Sequence, residues 1–140
     1  MTESLMQTEI DYLAGQPIGR LATVQPDGTL QNNPVGYRYN PSTSTIDIAG
    51  YNMAASRKFR NVADNGRVAF VVDDIVSTQP WRVRCLEIRG FGEAIDPATD
   101  PTAMVDVAII RIHPRRIISF GLDNPEIDPH LLVPRKRNVT

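Results

Sequence analysis

The sequence predicts a small, mainly β domain with short helices, built as an antiparallel barrel of six to seven strands. Three observations carry this. Short extended runs recur at close spacing with turn residues between them. One helical pattern is inserted after the third run, and the longest run holds glycines where a closed sheet has to bend. A chain of 140 residues, 41% of them apolar, can bury one core without disulfides or metals, so residues 1–140 are read as one domain.

The first element is a short helix, with Thr8 as its cap and Asp11 placed to close a capping box, ended by Gly15 and Pro17. Extended runs follow over residues 18–24, 30–39 and 45–50, separated by Pro26-Asp27-Gly28 and by Asn40-Pro41-Ser42-Thr43. A second helix opens near Asn52. Its apolar residues Ala55, Phe59, Val62 and Ala63 fall at helical spacing, Phe59 is assigned to the core, and Gly66 stops it.

Residues 68–72 are apolar on both faces, as in a central strand or one covered by a second subunit, and Asp73-Asp74 reads as their end. Along 83–94, Leu86, Ile88, Gly90, Gly92 and Ala94 share one face, while Glu87, Arg89 and Glu93 occupy the other. The closing runs 107–112 and 117–120 are separated by a His113-Pro114 turn. Residues 123–140 are rich in proline and charge and are expected to pack loosely.

A formal net charge of −1 with 22% charged residues disfavours both a basic nucleic-acid binder and an acidic disordered tail. With 6% aromatic residues and no strand interleaving basic and aromatic side chains, stacking of bases is disfavoured too. No apolar run approaches the roughly 20 residues of a membrane span. The polar start MTESLMQTE has neither the basic nor the apolar region of a leader, so a cytoplasmic protein without a membrane partner is expected. The single cysteine, Cys85, cannot close an intramolecular disulfide and reads as a packed small hydrophobe. Arginine outnumbers lysine 13 to 2, a bias that suits bidentate recognition of phosphate or carboxylate and equally suits a GC-rich genome.

Patterns that carry chemistry unaided are missing: no P-loop, no dinucleotide-type glycine loop, no paired-cysteine or His-x-x-x-His metal motif, no serine elbow. His113, in a turn, and His130, in the tail, form no triad or metal set. Chemistry would therefore have to come from a bound cofactor. One constellation is concentrated: Asn52 to Asn61, at the first turns of the second helix. Unpaired amides at a helix start favour an anion, and Ser56, Arg57 and Lys58 add a hydroxyl and two cations, with Asn61 three and four residues on. The pattern reads as a phosphate site or as a solvated helix face, and spacing alone favours the solvated face.

Gly19 to Val24 with Pro26-Asp27-Gly28, then Asn33-Pro34-Val35-Gly36-Tyr37, Ser56-Arg57-Lys58-Phe59-Arg60-Asn61, Arg67 to Asp74 and Glu87 to Ala94 follow one another in a characteristic order. In that order the chain resembles the pyridoxamine 5'-phosphate oxidase-like split-barrel flavoproteins. The closing stretch Ile112 to Gly121 looks like the flavin/deazaflavin oxidoreductase subgroup that uses coenzyme F420, although Phe120 stands where that subgroup often carries Trp.

The resemblance implies a homodimeric split barrel with the cofactor in a groove between subunits. It implies that Asn32, Asn33, Pro34, Val35 and Gly36 border the tricyclic ring, that Tyr51 and Asn52 lie beside the ribityl chain, and that Ser56, Arg57, Lys58 and Asn61 hold the phosphate. Arg60 and Arg67 would steer a polyglutamate tail.

The activity implied is hydride transfer from reduced F420 to an electron-poor conjugated small molecule, such as a quinone, enone or tetrapyrrole. The alternatives are FMN in the same groove, or a non-catalytic F420- or haem-binding split barrel. No side chain stands out as a catalytic acid; the proton would come from solvent or from Tyr37, Tyr51 or Arg38. The pyridoxal-phosphate-binding residues of true pyridoxamine phosphate oxidases are not recognisable, which argues against vitamin B6 oxidation. No metal is implied.

Overall fold

A computed structural model describes residues 5–124 and 126–139. The cap of helix α1 (Gln7–Ala14) lies two residues earlier than expected: Met6 and not Thr8 is the N-cap, and the Glu9 carboxylate accepts from the Met6 amide at 2.8 Å. The acidic partner that closes the first turn is therefore Glu9, three residues past the cap, and not Asp11.

Strands β1 (Gly19–Val24) and β2 (Leu30–Val35) form a hairpin, in register from Gly19↔Val35 to Val24↔Leu30. Its turn is held by the Asp27 carboxylate, which accepts from the Thr29 amide and hydroxyl, with Gly28 at φ 91°. The run expected over residues 30–39 is broken at Gly36-Tyr37 into β2 and β3 (Arg38–Asn40). The break has a cause. Tyr37 turns inward, its hydroxyl reaching the carbonyls of Leu13 at 2.6 Å and Gln16 at 3.0 Å and its ring meeting the Phe70 ring edge-on.

Strand β4 (Thr45–Ile48) leads through a 3-10 turn at Met53–Ala55 into α2 (Arg57–Asn65). Gly66, at φ 69°, caps α2 by donating its amide to Val62, and Phe59 is buried as expected. Then come β5 (Arg67–Thr78), β6 (Trp81–Ile95), β7 (Ile109–Phe120), a 3-10 turn at Pro129–Leu131 and β8 (Arg135–Asn138).

Three expectations about these later elements need correction. Asp73-Asp74 does not end β5, because both carboxylates are matched: Asp73 to Arg20, and Asp74 to Arg84 through two hydrogen bonds of 2.9 and 2.7 Å. His113-Pro114 is no turn. Both residues lie inside β7, where Arg115 is the extra residue of a bulge between the pairs Gly90↔Pro114 and Arg89↔Arg116, which accommodates the proline. Gly90 is needed there, since a Cβ would stand 2.2 Å from the His113 carbonyl oxygen.

The third correction concerns the segment expected to pack loosely. Within it, residues 135–138 pair with β7, and Arg137 grips the fully buried Glu9 through bonds of 2.7 and 2.6 Å. Val139 joins the core behind them.

The eight antiparallel strands run in the order β2-β1-β5-β6-β7-β4-β3, with β8 paired to the half of β7 that β4 leaves uncovered. The two ends of this path, β2 and β3, are consecutive in the chain and joined by two residues, which brings the sheet round on itself as a split barrel. Ile46, Ile48, Ile88, Ile110, Ile112 and Ile117 fill the interior with Phe70 and Leu86. Each such side chain contributes roughly 1.5 to 3 kcal/mol by burial. Val68, Phe70 and Val72 of β5 face this core, while Ala69 and Val71 on its outer side are half-buried.

Candidate functional site

The start of α2 is set by Ser56. Its hydroxyl donates to the Met53 carbonyl at 2.7 Å and accepts from the Phe59 amide at 3.2 Å, while its own carbonyl accepts from Arg60. That capping leaves the amides of Arg57 and Lys58 at the open first turn. Among the described residues Arg57, Lys58 and Arg60 enter no salt bridge, whereas Arg20, Arg84, Arg89, Arg111 and Arg137 each do. Arg67, expected to join Arg60 near the phosphate, instead begins β5 beyond the other end of α2. Nearby, hydrogen bonds from Thr29 hold the Asp27 carboxyl below its usual range, and the charge of Arg57 adds to this. Free amides beside unpaired guanidinium and ammonium groups are the donor chemistry a phosphate requires.

Two of the expected phosphate residues do something else. The hydroxyl of Ser56 is committed on both sides, its proton to the Met53 carbonyl and its oxygen to the Phe59 amide. Asn61 is completely buried, its amide donating to Thr23 at 3.0 Å and to Gln31 at 3.2 Å. It ties α2 to the β1–β2 hairpin and does not share the exposed face of Arg57. Helical spacing put Asn61 beside Arg57 correctly but left open which side of the helix it would face.

A cleft of about 500 Å³ opens where β2 passes into β3. Gly36, Tyr37, Arg38 and Ala49 line it on one side and residues 104–107 on the other, with Asp47 and Arg111 at its base. Asp47 is 6% exposed and accepts from Arg111 at 3.0 and 3.1 Å, from Asn40 at 2.9 Å and from Thr45 at 2.9 Å. Burial by itself would raise its pKa, but these hydrogen bonds outweigh burial and hold the carboxyl below the usual range. Arg38 stands 3.9 Å from Asp47 with its side chain 71% exposed.

This network was not anticipated. Its only signal in the sequence is that Asp47 is the one charge in its short strand and that Arg111 stands among Ile109, Ile110 and Ile112. From Asp47 the chain continues through Ala49 to Tyr51, 96% exposed, and Asn52, in the left-handed conformation at φ 51°, and so to the cations of α2.

The residues expected along the ring divide between surfaces. Asn32 and Pro34 point outward, Asn33 is half-buried, and the Val35 side chain lies in the core, so only its main chain is available to a ligand. Asn32 borders a shallow depression with Arg20, Ala22, Val71 and Glu87, separate from the cleft that Gly36 lines. At a strand rise of about 3.3 Å per residue, Asn32 and Gly36 are some 13 Å apart.

Of the three side chains considered as proton donors, Tyr37 spends its hydroxyl on backbone carbonyls, and burial pushes its pKa up to about 12. Arg38 and Tyr51 remain open to solvent. Cys85 is half-buried, its thiol pushed up to about 11 by burial first and the charges of Asp73 and Glu87 second. His113 pairs across strands with Glu93 at 2.9 Å. Among the described residues no three His, Cys, Asp or Glu side chains gather as a metal set, and no helix is long and apolar enough to cross a membrane.

An antiparallel split barrel with one helix inserted after β4 defines a class of protein, and residues 6–121 match its pyridoxamine 5'-phosphate oxidase family; the chain belongs to that family. Within it, the chain is 46% identical over 119 residues to a 5a,11a-dehydrotetracycline/5a,11a-dehydrooxytetracycline reductase of Streptomyces rimosus, covering 84% of this chain and 83% of that one. Among solved structures it is similar to an F420 reductase, with a TM-score of 0.54 and 28% identity over 74% of this chain and 91% of the other. A FAD-binding protein from Mesorhizobium loti shares the fold, with a TM-score of 0.58 and 19% identity over 82% and 93% of the two chains.

Proposed function

We propose that this chain is a cytoplasmic, homodimeric oxidoreductase that uses coenzyme F420 to reduce an electron-poor conjugated small molecule. The observation that carries the reading is the set of unpaired cations and free amides at the start of α2, reached along β4 from a cleft of about 500 Å³. When bound, reduced F420 supplies a hydride from C5 of its deazaflavin ring. The chain's own residues bind and orient. Arg57 and Lys58 hold the phosphate, Asn61 fixes α2 against the hairpin so that both cations keep their place, and Asn52 and Tyr51 flank the path to Gly36.

The relative's reduction of a dehydrotetracycline supports a polycyclic enone as the acceptor. The dimer is supported by the apolar outer side of the β5–β6 ribbon, where Ile75, Val76 and Trp81 are 56%, 43% and 55% exposed. FMN is the second reading, since its phosphate would meet the same cations.

A parallel titration of the purified protein with F420, FMN and haem tests the proposal, with sedimentation at micromolar concentration alongside. Tight F420 binding to a dimer, followed by reduction of a conjugated enone by the reduced cofactor with deuterium transfer from C5, is the expected result. Preference for FMN replaces the cofactor. Tight binding with no acceptor reduced across enones, quinones and tetrapyrroles removes the enzymatic reading.

A further inference from the structure

Residues 96–108 join β6 to β7, and connections of this length without regular structure are uncommon in compact domains unless they serve a site. The first half of this one is braced. The Asp96 carboxylate accepts from the Ala98 amide at 3.0 Å and its carbonyl from the amides of Thr99 and Asp100, while the Asp100 carboxylate accepts from the amide and hydroxyl of Thr102 at 2.9 and 2.6 Å. The second half is not. From Met104 to Val107 the chain makes no hydrogen bond and no ion pair among the described residues, yet this stretch forms one wall of the cleft of about 500 Å³. Met104 is 96% and Val107 58% exposed, so large apolar side chains stand in water at the edge of a cavity.

The opposite wall carries a cation to spare. Both oxygens of Asp47 are taken, one by Thr45 and the Arg111 Nε, the other by Asn40 and the Arg111 Nη2, which fills the roughly four acceptor positions of a carboxylate. Arg38, 3.9 Å away, is drawn to that charge without donating a hydrogen bond to it. Asp106, across the cleft, is exposed and enters no ion pair among the described residues. A surplus guanidinium and a surplus carboxylate thus stand on opposite walls of one opening, and the carboxylate belongs to the stretch that no hydrogen bond holds in place.

We propose that residues 104–107 are a lid that closes over the acceptor, Asp106 latching onto Arg38 while Met104 and Val107 cover the acceptor's apolar body. The proposal rests on the function inferred above in one respect, that the acceptor sits in this cleft. Closing takes exposed apolar side chains out of water and gives Arg38 the hydrogen-bond partner that Asp47 cannot be. An exposed ion pair alone is weak, so over an empty cleft the lid opens and closes, and an acceptor broad enough to meet Met104 and Val107 holds it shut. These two side chains thereby select acceptors by size.

The latch is tested without cofactor or acceptor. Arg38→Lys keeps the charge and provides an amine, and a carbodiimide joins an amine to a carboxylate as an amide, with loss of water, where the two are ion-paired. Peptide mass spectrometry should find position 38 joined to Asp106. In about 1 M salt, where screening acts within about 3 Å, the yield should fall about two- to fivefold. Coupling to Asp47 alone, or to no carboxylate, overturns the proposal.

Kinetics test the selection. Arg38→Gln and Asp106→Asn should each raise the acceptor KM about two- to fivefold with F420 affinity and denaturation midpoint unchanged, and the double variant should be no worse than either single one, as for two residues acting as a pair. Additive losses overturn the latch. Met104→Ser/Val107→Ser should raise KM for a polycyclic enone and leave that for cyclohex-2-enone nearly unaltered; equal effects on both overturn selection by size. If no acceptor is reduced at all, the inferred function fails, and the cross-link still decides whether the lid closes.

Discussion

At the joint between its first and last elements, the chain locks Arg137 onto a buried Glu9 through two short bonds, and at the start of α2 Arg57 and Lys58 enter no salt bridge among the described residues. Both regions are arginine-bearing and both sit where an element begins or ends. The first is satisfied within one chain, so its charges serve the frame; the same holds for Asp47 with Arg111 and Asp74 with Arg84. The second forms no ion pair among the described residues, beyond the field of Arg57 at Asp27, so its charges are available to something else. A guanidinium's role is thus read from what it already holds.

The comparison is broken most severely at the frame. Arg137→Ala strands an acid that has no exposure, and breaking a buried pair from one side costs about 3 to 5 kcal/mol. Urea unfolding should show this as a drop in midpoint, largely restored by adding Glu9→Leu.

Asp47→Asn should cost less, roughly 1.5 to 3 kcal/mol at neutral pH, the value of a charge-assisted hydrogen-bond set. Its pH dependence has a definite sign. Asp47 and Asp74 both have folded pKa values below the ordinary carboxylate range, Asp74 mainly through its bonds from Arg84. The stability each gives is present above the unfolded value of about 4 and is lost as pH falls through the folded one. The gap between wild type and Asp47→Asn should therefore narrow in midpoints measured at pH 3 against pH 7.

The other region behaves oppositely. Lys58→Ala, and to a smaller degree Arg57→Ala, should weaken cofactor binding at least about tenfold while stability stays within about 0.5 kcal/mol. Unchanged affinity in both would make the cations a solvated face. Ser56→Ala sharpens the division. As a helix cap it should lose roughly 1 kcal/mol of stability, and with its proton given to Met53 it should disturb binding less than Lys58→Ala does.

What was legible in the sequence follows the same division between local and distant causes. The stop of α2 at Gly66, the hairpin at Asp27-Gly28 and the burial of Phe59 depend on neighbours a few residues away, and all were read from residue type and spacing. The misreadings have long-range causes. Asp73-Asp74 looks like a strand end until Arg20 and Arg84 are seen to face it. Gly36-Tyr37 looks like the middle of a strand until the Tyr37 hydroxyl is seen to need Leu13. The stretch Arg135–Asn138 has no apolar period, and its anchor Glu9 lies at the other end of the chain. In the site, the cations were visible by type, while the inward turn of Asn61 and the Asp47–Arg111 pair depended on which faces the sheet would cover.

The Glu9–Arg137 pair spans 128 residues of chain, and that separation bears on time as well as on stability. Closing so long a loop is among the costliest steps in ordering a chain, so this contact is expected to form after the β5–β6–β7 core has condensed. A contact absent from the folding barrier slows unfolding without hastening folding. Stopped-flow chevrons of Arg137→Ala should accordingly show most of the lost stability as faster unfolding, with a refolding limb close to that of the wild type. The joint would then act as a latch on a finished barrel, lengthening its residence in the folded state after playing little part in its assembly.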